Sequence, residues 1–150
     1  MIEYKNGDLL KSKCGIICHQ VNIQGIMGGG IALQIARNYY SCEKEYKEFC
    51  NAFNHKEQDL LGKVLIWENY LYGSSVANCF SQKENFETCY ESVEKCLTYI
   101  RNYAEKNNLS VGIPYKYGCG IANAQWEKVE SIIKKVFEKS QVKCEIWKLE

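Results

Sequence analysis

Residues 15–40 read GIICHQVNIQGIMGGGIALQIARNYY, and the division of that stretch decides the fold. CGIICHQVN, beginning one residue earlier, is an apolar strand, GIMGGG is a glycine loop, and IALQIARNYY opens directly as a helix whose Ile31, Ile35, Ala36 and Tyr39 share one stripe. Strand, glycine loop, helix is an arrangement with chemical consequences. Consecutive glycines let backbone approach a ligand closely, and the unpaired N–H groups and dipole of a helix's first turn favour a phosphate there.

The arrangement recurs near the C-terminus. A strand at 110–114 leads through Pro114, Tyr115, Lys116 and Tyr117 into Gly118-Cys119-Gly120, and a helix follows from about Ala124. Glycines can simply mark tight strand-to-helix turns. Two such loops, both after parallel strands, instead point to a ligand beyond the carboxyl ends of the strands. They imply two anionic groups, or one diphosphate held between them. Neither loop is a nucleotide signature: Gly25 and Gly30 have the Walker A separation, but Ile31-Ala32 stands where Lys and Ser/Thr belong, and Gly118-Cys119-Gly120 is half a dinucleotide fingerprint.

Outward from these loops, further strands are expected at 2–5, 63–67, 75–80 and 142–148, each short and rich in β-branched or aromatic residues. Helical stripes lie at Cys42, Tyr46, Phe49 and Phe53, at Tyr90, Val93, Leu97, Ile100 and Ala104, and at Trp126, Val129, Ile133 and Val136. Thr88 followed by Glu91 reads as a capping box for the long helix, and Asn107-Asn108 as its end. Residues 55–59 read as an exposed polar linker, and Lys134-Lys135 as a solvated helix face. Six strands alternating with amphipathic helices imply an α/β fold: a three-layer α/β/α sandwich, with a central mixed sheet covered by helices on both faces.

At 150 residues, 46% hydrophobic and 25% charged, the chain has the balance of one globular domain, 1–150, able to carry a core without disulfides. A net charge of +1 excludes a global field that would hold nucleic acid or an anionic membrane. No apolar run approaches the ~20 residues of a membrane span. Nine cysteines without a C-x-x-C, behind an N-terminus without a secretory pattern, imply a reducing cytoplasm, thiols that act as small buried hydrophobes, and no structural zinc. No carboxylate cluster surrounds either glycine loop, so no metal is expected.

Single residues beside the loops then matter. His19 and Asn22 are polar where an interior strand should continue apolar; His19 is either a hydrogen-bonded structural imidazole or a site residue. Asp8 is a turn or cap residue, or a ligand contact. In 142–148 the alternation of Val142, Cys144 and Ile146 with Lys143 and Glu145 is broken by Trp147, which either packs on a neighbouring helix or offers a flat platform to an aromatic ring.

Taken together, GDLL at 7–10, HQVN at 19–22, QGIMGGGIALQIA at 24–36, LLGKV at 60–64, VANCFSQ at 76–82, IPYKYGCGIANAQW at 113–126 and CEIWKL at 144–149 resemble a macrodomain, the module that binds ADP-ribose. The resemblance spans the whole chain. It is strongest toward the branch containing terminal ADP-ribose protein glycohydrolase, its bacterial relatives and the yeast ADP-ribose 1''-phosphate phosphatase. It implies that Asp8 accepts a hydrogen bond from the adenine amino group beside the backbone of Leu9. It also implies that Asn22 contacts the distal ribose, and that Met27, Gly28, Gly29, Gly30 and Ile31 run along that ribose and its phosphate. Gly118, Cys119, Gly120, Ile121, Ala122 and Asn123 match the second diphosphate loop, and Trp147 and Leu149 the terminal residues lining the adenine pocket.

The branch's glycohydrolase lysine and aspartate do not carry over. Ser81 or Gln82 falls at the first position, with Lys83 adjacent, and Ala122 at the second, so a covalent lysine route lacks its base. His19, Asn22, Gln82, Lys83 and Asn123 remain near the distal ribose, with His19 or a positioned water as the expected base or nucleophile. The resemblance thus implies a hydrolase acting on an ADP-ribosyl adduct of protein or nucleic acid, or on ADP-ribose 1''-phosphate; the alternative is a reader that binds ADP-ribose without chemistry. No cofactor is implied beyond ADP-ribose as ligand or product. The partner is an ADP-ribosylated macromolecule, with nucleic acid only as such a substrate, no membrane, and a monomer expected.

Overall fold

A computed structural model describes residues 1–71 and 73–149. Strands β1 (Ile2–Asn6), β2 (Ile16–Val21), β3 (Val64–Trp67), β4 (Ser75–Phe80), β5 (Val111–Pro114) and β6 (Cys144–Lys148) form one sheet in the order β1-β6-β5-β2-β4-β3. Every neighbouring pair is parallel except β3 with β4. Each expected strand is present: β4 has the expected bounds, and the other five differ by one or two residues at an end.

Side chains alternate across each strand, so the sheet carries two apolar faces. On one face Ile16, Cys18, Ala77, Cys79, Val111, Ile113, Cys144 and Ile146 meet helices α4 (Tyr90–Asn107) and α5 (Trp126–Phe137). On the other, Ile17, Val21, Val76 and Phe80 meet α1 (Gly30–Asn38), α2 (Tyr40–Ala52) and α3 (Glu57–Leu60) through Ile35, Cys42, Tyr46 and Leu60. This is the expected three-layer sandwich. Seven of the nine cysteines are buried and all nine are free thiols, consistent with their use as small hydrophobes.

Three local readings change. Thr88 does not cap α4: the cap is Cys89, with no side-chain bond, because the Thr88 hydroxyl is turned to donate to the Gly118 carbonyl at 2.9 Å. Residues 55–59 are not a plain linker, since they include most of α3 and His55 is bonded into the fold. The third concerns β6, where Glu145 does not face solvent.

Glu145 is only 8% exposed. Its Oε1 accepts from Trp147 Nε1 at 2.9 Å and from Cys14 Sγ at 3.2 Å, and its Oε2 lies 3.2 Å from Lys143 Nζ. Burial pushes the Glu145 carboxyl up, but the bonds from Trp147, Cys14 and Lys143 outweigh burial and hold it below its ordinary value. Burial raises the Cys14 thiol to about 11, so it remains a donor.

A 3-10 turn at Leu9–Lys11 lies directly on the sheet over β5. Gly112 permits this: a Cβ there would stand 2.7 Å from Leu9 Cδ1 and 3.0 Å from Cys14 Sγ.

Gly112→Val should therefore overpack this contact and cost about 1–3 kcal/mol in chemical denaturation. The Glu145 carboxyl titrates lower folded than unfolded, so its contribution to stability is present at neutral pH. That contribution is lost as pH falls from the ordinary carboxylate range through the folded value. Glu145→Gln should flatten this acid-side loss, read as midpoint temperature against pH.

Candidate functional site at the carboxyl edge of the sheet

Because β1, β6, β5, β2 and β4 run in parallel, their carboxyl ends share one edge. The Gly7-Asp8 turn, residues 22–30, 81–89 and 115–125, and Leu149 all emerge there. Open α/β sheets bind ligands at this edge.

Asn22 organises the first loop. Its Oδ1 accepts from the backbone N–H of Gln24 at 3.1 Å, of Gly25 at 3.1 Å and of Ile26 at 3.3 Å, and its Nδ2 donates to the Ile26 carbonyl at 2.9 Å. The Tyr46 hydroxyl lies 2.6 Å from the Asn22 carbonyl and 2.7 Å from Oδ1. A side chain so engaged chiefly shapes the loop; one N–H of its amide is left for a ligand. His55 Nδ1 lies 2.8 Å from the Ile23 carbonyl, which can only accept, so that nitrogen donates. Met27 is buried beneath the loop, whereas Gly28, Gly29 and Gly30 are exposed, with Ile31 partly covered at the start of α1. Gly29 caps α1 with no side-chain bond, leaving first-turn N–H groups turned to the crevice edge.

The second loop is tied down from the opposite side. Gln20 Nε2 donates to Ser81 Oγ at 3.1 Å and to Thr88 Oγ1 at 3.0 Å, and Ser81 Oγ lies 2.6 Å from the Tyr117 hydroxyl. The Thr88 hydroxyl holds the Gly118 carbonyl, and the Thr88 N–H donates to the Ala122 carbonyl at 3.0 Å. Gly118, at φ +74°, is structural: a Cβ would stand 2.9 Å from Thr88 Oγ1. Gly120, Ile121 and Asn123 are exposed, Cys119 is partly covered and Ala122 is buried. Burial raises the Cys119 thiol and Lys116 only partly offsets this, so the loop cysteine is no activated nucleophile.

Two of these glycines are unlike the others. Gly29 has extended backbone at φ −159°, and Gly120 has no positive φ; a Cβ at either would meet nothing within 4 Å. Nothing in the protein demands glycine there.

The residues expected at the reacting end separate. His19 is fully buried on the α1–α2 side, where Asn78 is its register partner. Asn78 Nδ2 donates to the Leu65 carbonyl at 3.1 Å, which turns Oδ1 toward His19, so Nε2 donates across 2.7 Å. Burial lowers the imidazole pKa despite the Asn78 bond, keeping the ring neutral. His19 has no accessible surface, and this geometry suits the structural imidazole, one of the two roles expected of it. Gln82 is 8% exposed and its Nε2 donates to the Phe86 carbonyl at 3.0 Å. Lys83 is exposed on the same loop, 4.0 Å from Glu87.

At the other end of the edge, Asp8 Oδ1 accepts from Leu10 N–H at 3.0 Å, capping the 3-10 turn, and a carboxylate has capacity for further donors. Leu9 is buried under it, Trp147 is partly buried and Leu149 is exposed. The bracing residues Tyr46, His55, Gln20, Thr88 and Tyr117 were not expected at the site from sequence. Gln20 alone carried a signal, as a polar residue in an interior strand.

A cleft of about 400 Å³ opens at the opposite edge, lined by Asn108, Ser110, Gln141 and Lys143 among others. It contains neither glycine loop, so volume does not mark the chemistry here. Among the described residues no group of His, Cys, Asp or Glu is arranged to hold a metal ion, and no helix is long and apolar enough to cross a membrane.

The geometry agrees with comparisons to known proteins. The ADP-ribose 1''-phosphate phosphatase of Lodderomyces elongisporus is 28% identical over 152 residues, covering 90% of this chain and 92% of that protein. The DNA ADP-ribosyl glycohydrolase of Mycobacterium tuberculosis is 29% identical over 142 residues, covering 92% of this chain but 39% of its own. The solved macrodomain of Mycobacterium tuberculosis DarG superposes with a TM-score of 0.85 at 27% identity, over 98% of this chain and 97% of that one. The Macro domain family model matches residues 18–133, and the chain belongs to that family.

Proposed function

We propose that the chain binds ADP-ribose along the carboxyl edge of the sheet and hydrolyses a substituent from its distal ribose. The observation that carries this is the pair Gly29 and Gly120, on loops after neighbouring strands β2 and β5, with ordinary backbone and open space where side chains would be. A ligand pressed against both backbones accounts for glycine at both positions. A diphosphate between the two loops places adenine toward Asp8 and the distal ribose toward the 81–89 loop. Relatives named for removing phosphate or ADP-ribosyl groups support a hydrolytic reading.

Of the possible substituents, a 1''-phosphate suits the side chains best. Its hydrolysis asks for positioning and charge stabilisation rather than a covalent side chain. Water attacks phosphorus, the bond to the ribose oxygen breaks with its electron pair passing to that oxygen, and the products are ADP-ribose and inorganic phosphate. Loop amides from 28–30 would take the developing charge. A covalent lysine route fits less well: Ala122 offers no base, and Lys83 is engaged with Glu87. The same two residues favour the second reading, a module that binds ADP-ribose without chemistry.

Calorimetric titration with ADP-ribose, beside phosphate release from ADP-ribose 1''-phosphate and ADP-ribose release from ADP-ribosylated DNA, tests both. Micromolar binding that weakens in Asp8→Ala, with product from either substrate, is the expected result. Binding without release from either substrate leaves the reader, and absence of binding overturns the proposal.

Gly29→Ala and Gly120→Ala should each leave stability unchanged or raise it by about 0.4–1 kcal/mol, because the native backbone suits alanine. Each should nonetheless weaken ADP-ribose binding about tenfold, near 1.4 kcal/mol. Gly118→Ala should lose stability as well, since its φ is positive and Thr88 fills the space.

A further inference from the structure

Glu145 is the one buried carboxylate among the described residues, and nothing in the proposed chemistry uses it. Three donors surround it: Cys14 from beneath the 3-10 turn, Lys143 from its own strand's approach, and Trp147 two residues along β6 on the same face. Only Trp147 leads toward the ligand edge. Its Nε1 points back to Glu145, which swings the six-membered ring of the indole to the turn that precedes Asp8. A Cβ on Gly7 would stand 3.0 Å from Trp147 Cζ3, so the ring edge presses directly on that turn. Gly7 in turn donates to the Lys148 carbonyl at 2.9 Å and holds φ +137°, a conformation that suits glycine. The next residue is Asp8, whose carboxylate is anchored by Leu10 N–H on one oxygen.

We propose that Glu145 is a positioning residue for the purine end of the ligand: by fixing the Trp147 indole beneath the Gly7-Asp8 turn, it sets the aim of the Asp8 carboxylate at the base's amino group. This rests on the reading of the carboxyl edge as an ADP-ribose site. A well-packed apolar residue at 145 would avoid the desolvation of a charge, so a buried ion there is better explained by orientation than by stability. The lever is short: one hydrogen bond, one ring, one turn.

The discriminating probe is the 6-deamino (unsubstituted purine) analogue of ADP-ribose, in which hydrogen replaces the 6-amino donor and N1 stays an acceptor. Wild-type protein should prefer ADP-ribose, and Glu145→Leu, which packs but accepts no bond, should lose about three- to tenfold of that preference while binding the 6-deamino ligand almost unchanged. Glu145→Gln retains an acceptor for Trp147 and should discriminate as wild type does. Trp147→Phe keeps a ring but cuts the same bond from the other side, so it should reproduce the loss and show little further change when combined with Glu145→Leu. It also carries the test if Glu145→Leu fails to fold. A folded Glu145→Leu or Trp147→Phe with unaltered preference overturns this inference alone. Absence of ADP-ribose binding by wild type overturns the functional reading, and this inference with it.

Discussion

β2 is hydrogen-bonded on both edges and covered on both faces, yet it carries two polar side chains in succession, His19 fully buried and Gln20 half-buried. They point to opposite faces, and each finds a partner within the protein. His19 finds Asn78, which ties the α1–α2 side of β2 to β4. Gln20 finds Ser81 and Thr88, and through Thr88 it reaches the Gly118 carbonyl on the second glycine loop. These bonds thus join β2 to the loops after β4 and β5 in one frame. Asn22, the next polar residue, collects the backbone N–H groups of the first loop in the same way.

That frame explains how binding geometry is held without polar side chains crowding the crevice. The side chains that brace the loops, Tyr46, His55, Thr88 and Tyr117, lie behind or below them. What the loops present is largely backbone: exposed glycine amides at 28–30 and at 120, and the uncapped start of α1. Backbone N–H groups are suited to a diphosphate because they are fixed donors that need no reorganisation when charge arrives. They do little to activate a leaving group by proton transfer, which suits them to holding charge rather than to acid–base work.

Much of the architecture was legible because periodicity is a strong signal. Apolar runs of four to six residues between amphipathic stripes placed all six strands and the four longer helices. Both glycine loops were legible for the same reason, since they interrupt those patterns at strand ends. The misreadings arose where a local rule lost to a tertiary partner. Thr88 and Glu91 have capping-box spacing, but Gly118 offered the threonine hydroxyl a buried carbonyl. Glu145 sits in an alternating strand as if on a wet face, but Trp147 and Cys14 close over it. His19 carried the correct signal, a polar residue in an interior strand, and sequence alone could not say whether it turned inward or toward a ligand. Nothing in sequence marked Tyr46, whose ring belongs to an ordinary helical stripe while its hydroxyl serves Asn22.

The claim on which the rest depends is that ADP-ribose lies across the carboxyl edge, between a first loop that Asn22 shapes and a second that Gln20 and Thr88 tie down. Amide chemical-shift mapping during titration with ADP-ribose tests it most directly. The largest shifts should fall at Asp8, at 28–30 and at 118–123, with Asn108, Ser110 and Gln141 at the opposite edge unmoved. Shifts concentrated on the cleft at that opposite edge, or none at saturating ligand, would contradict it.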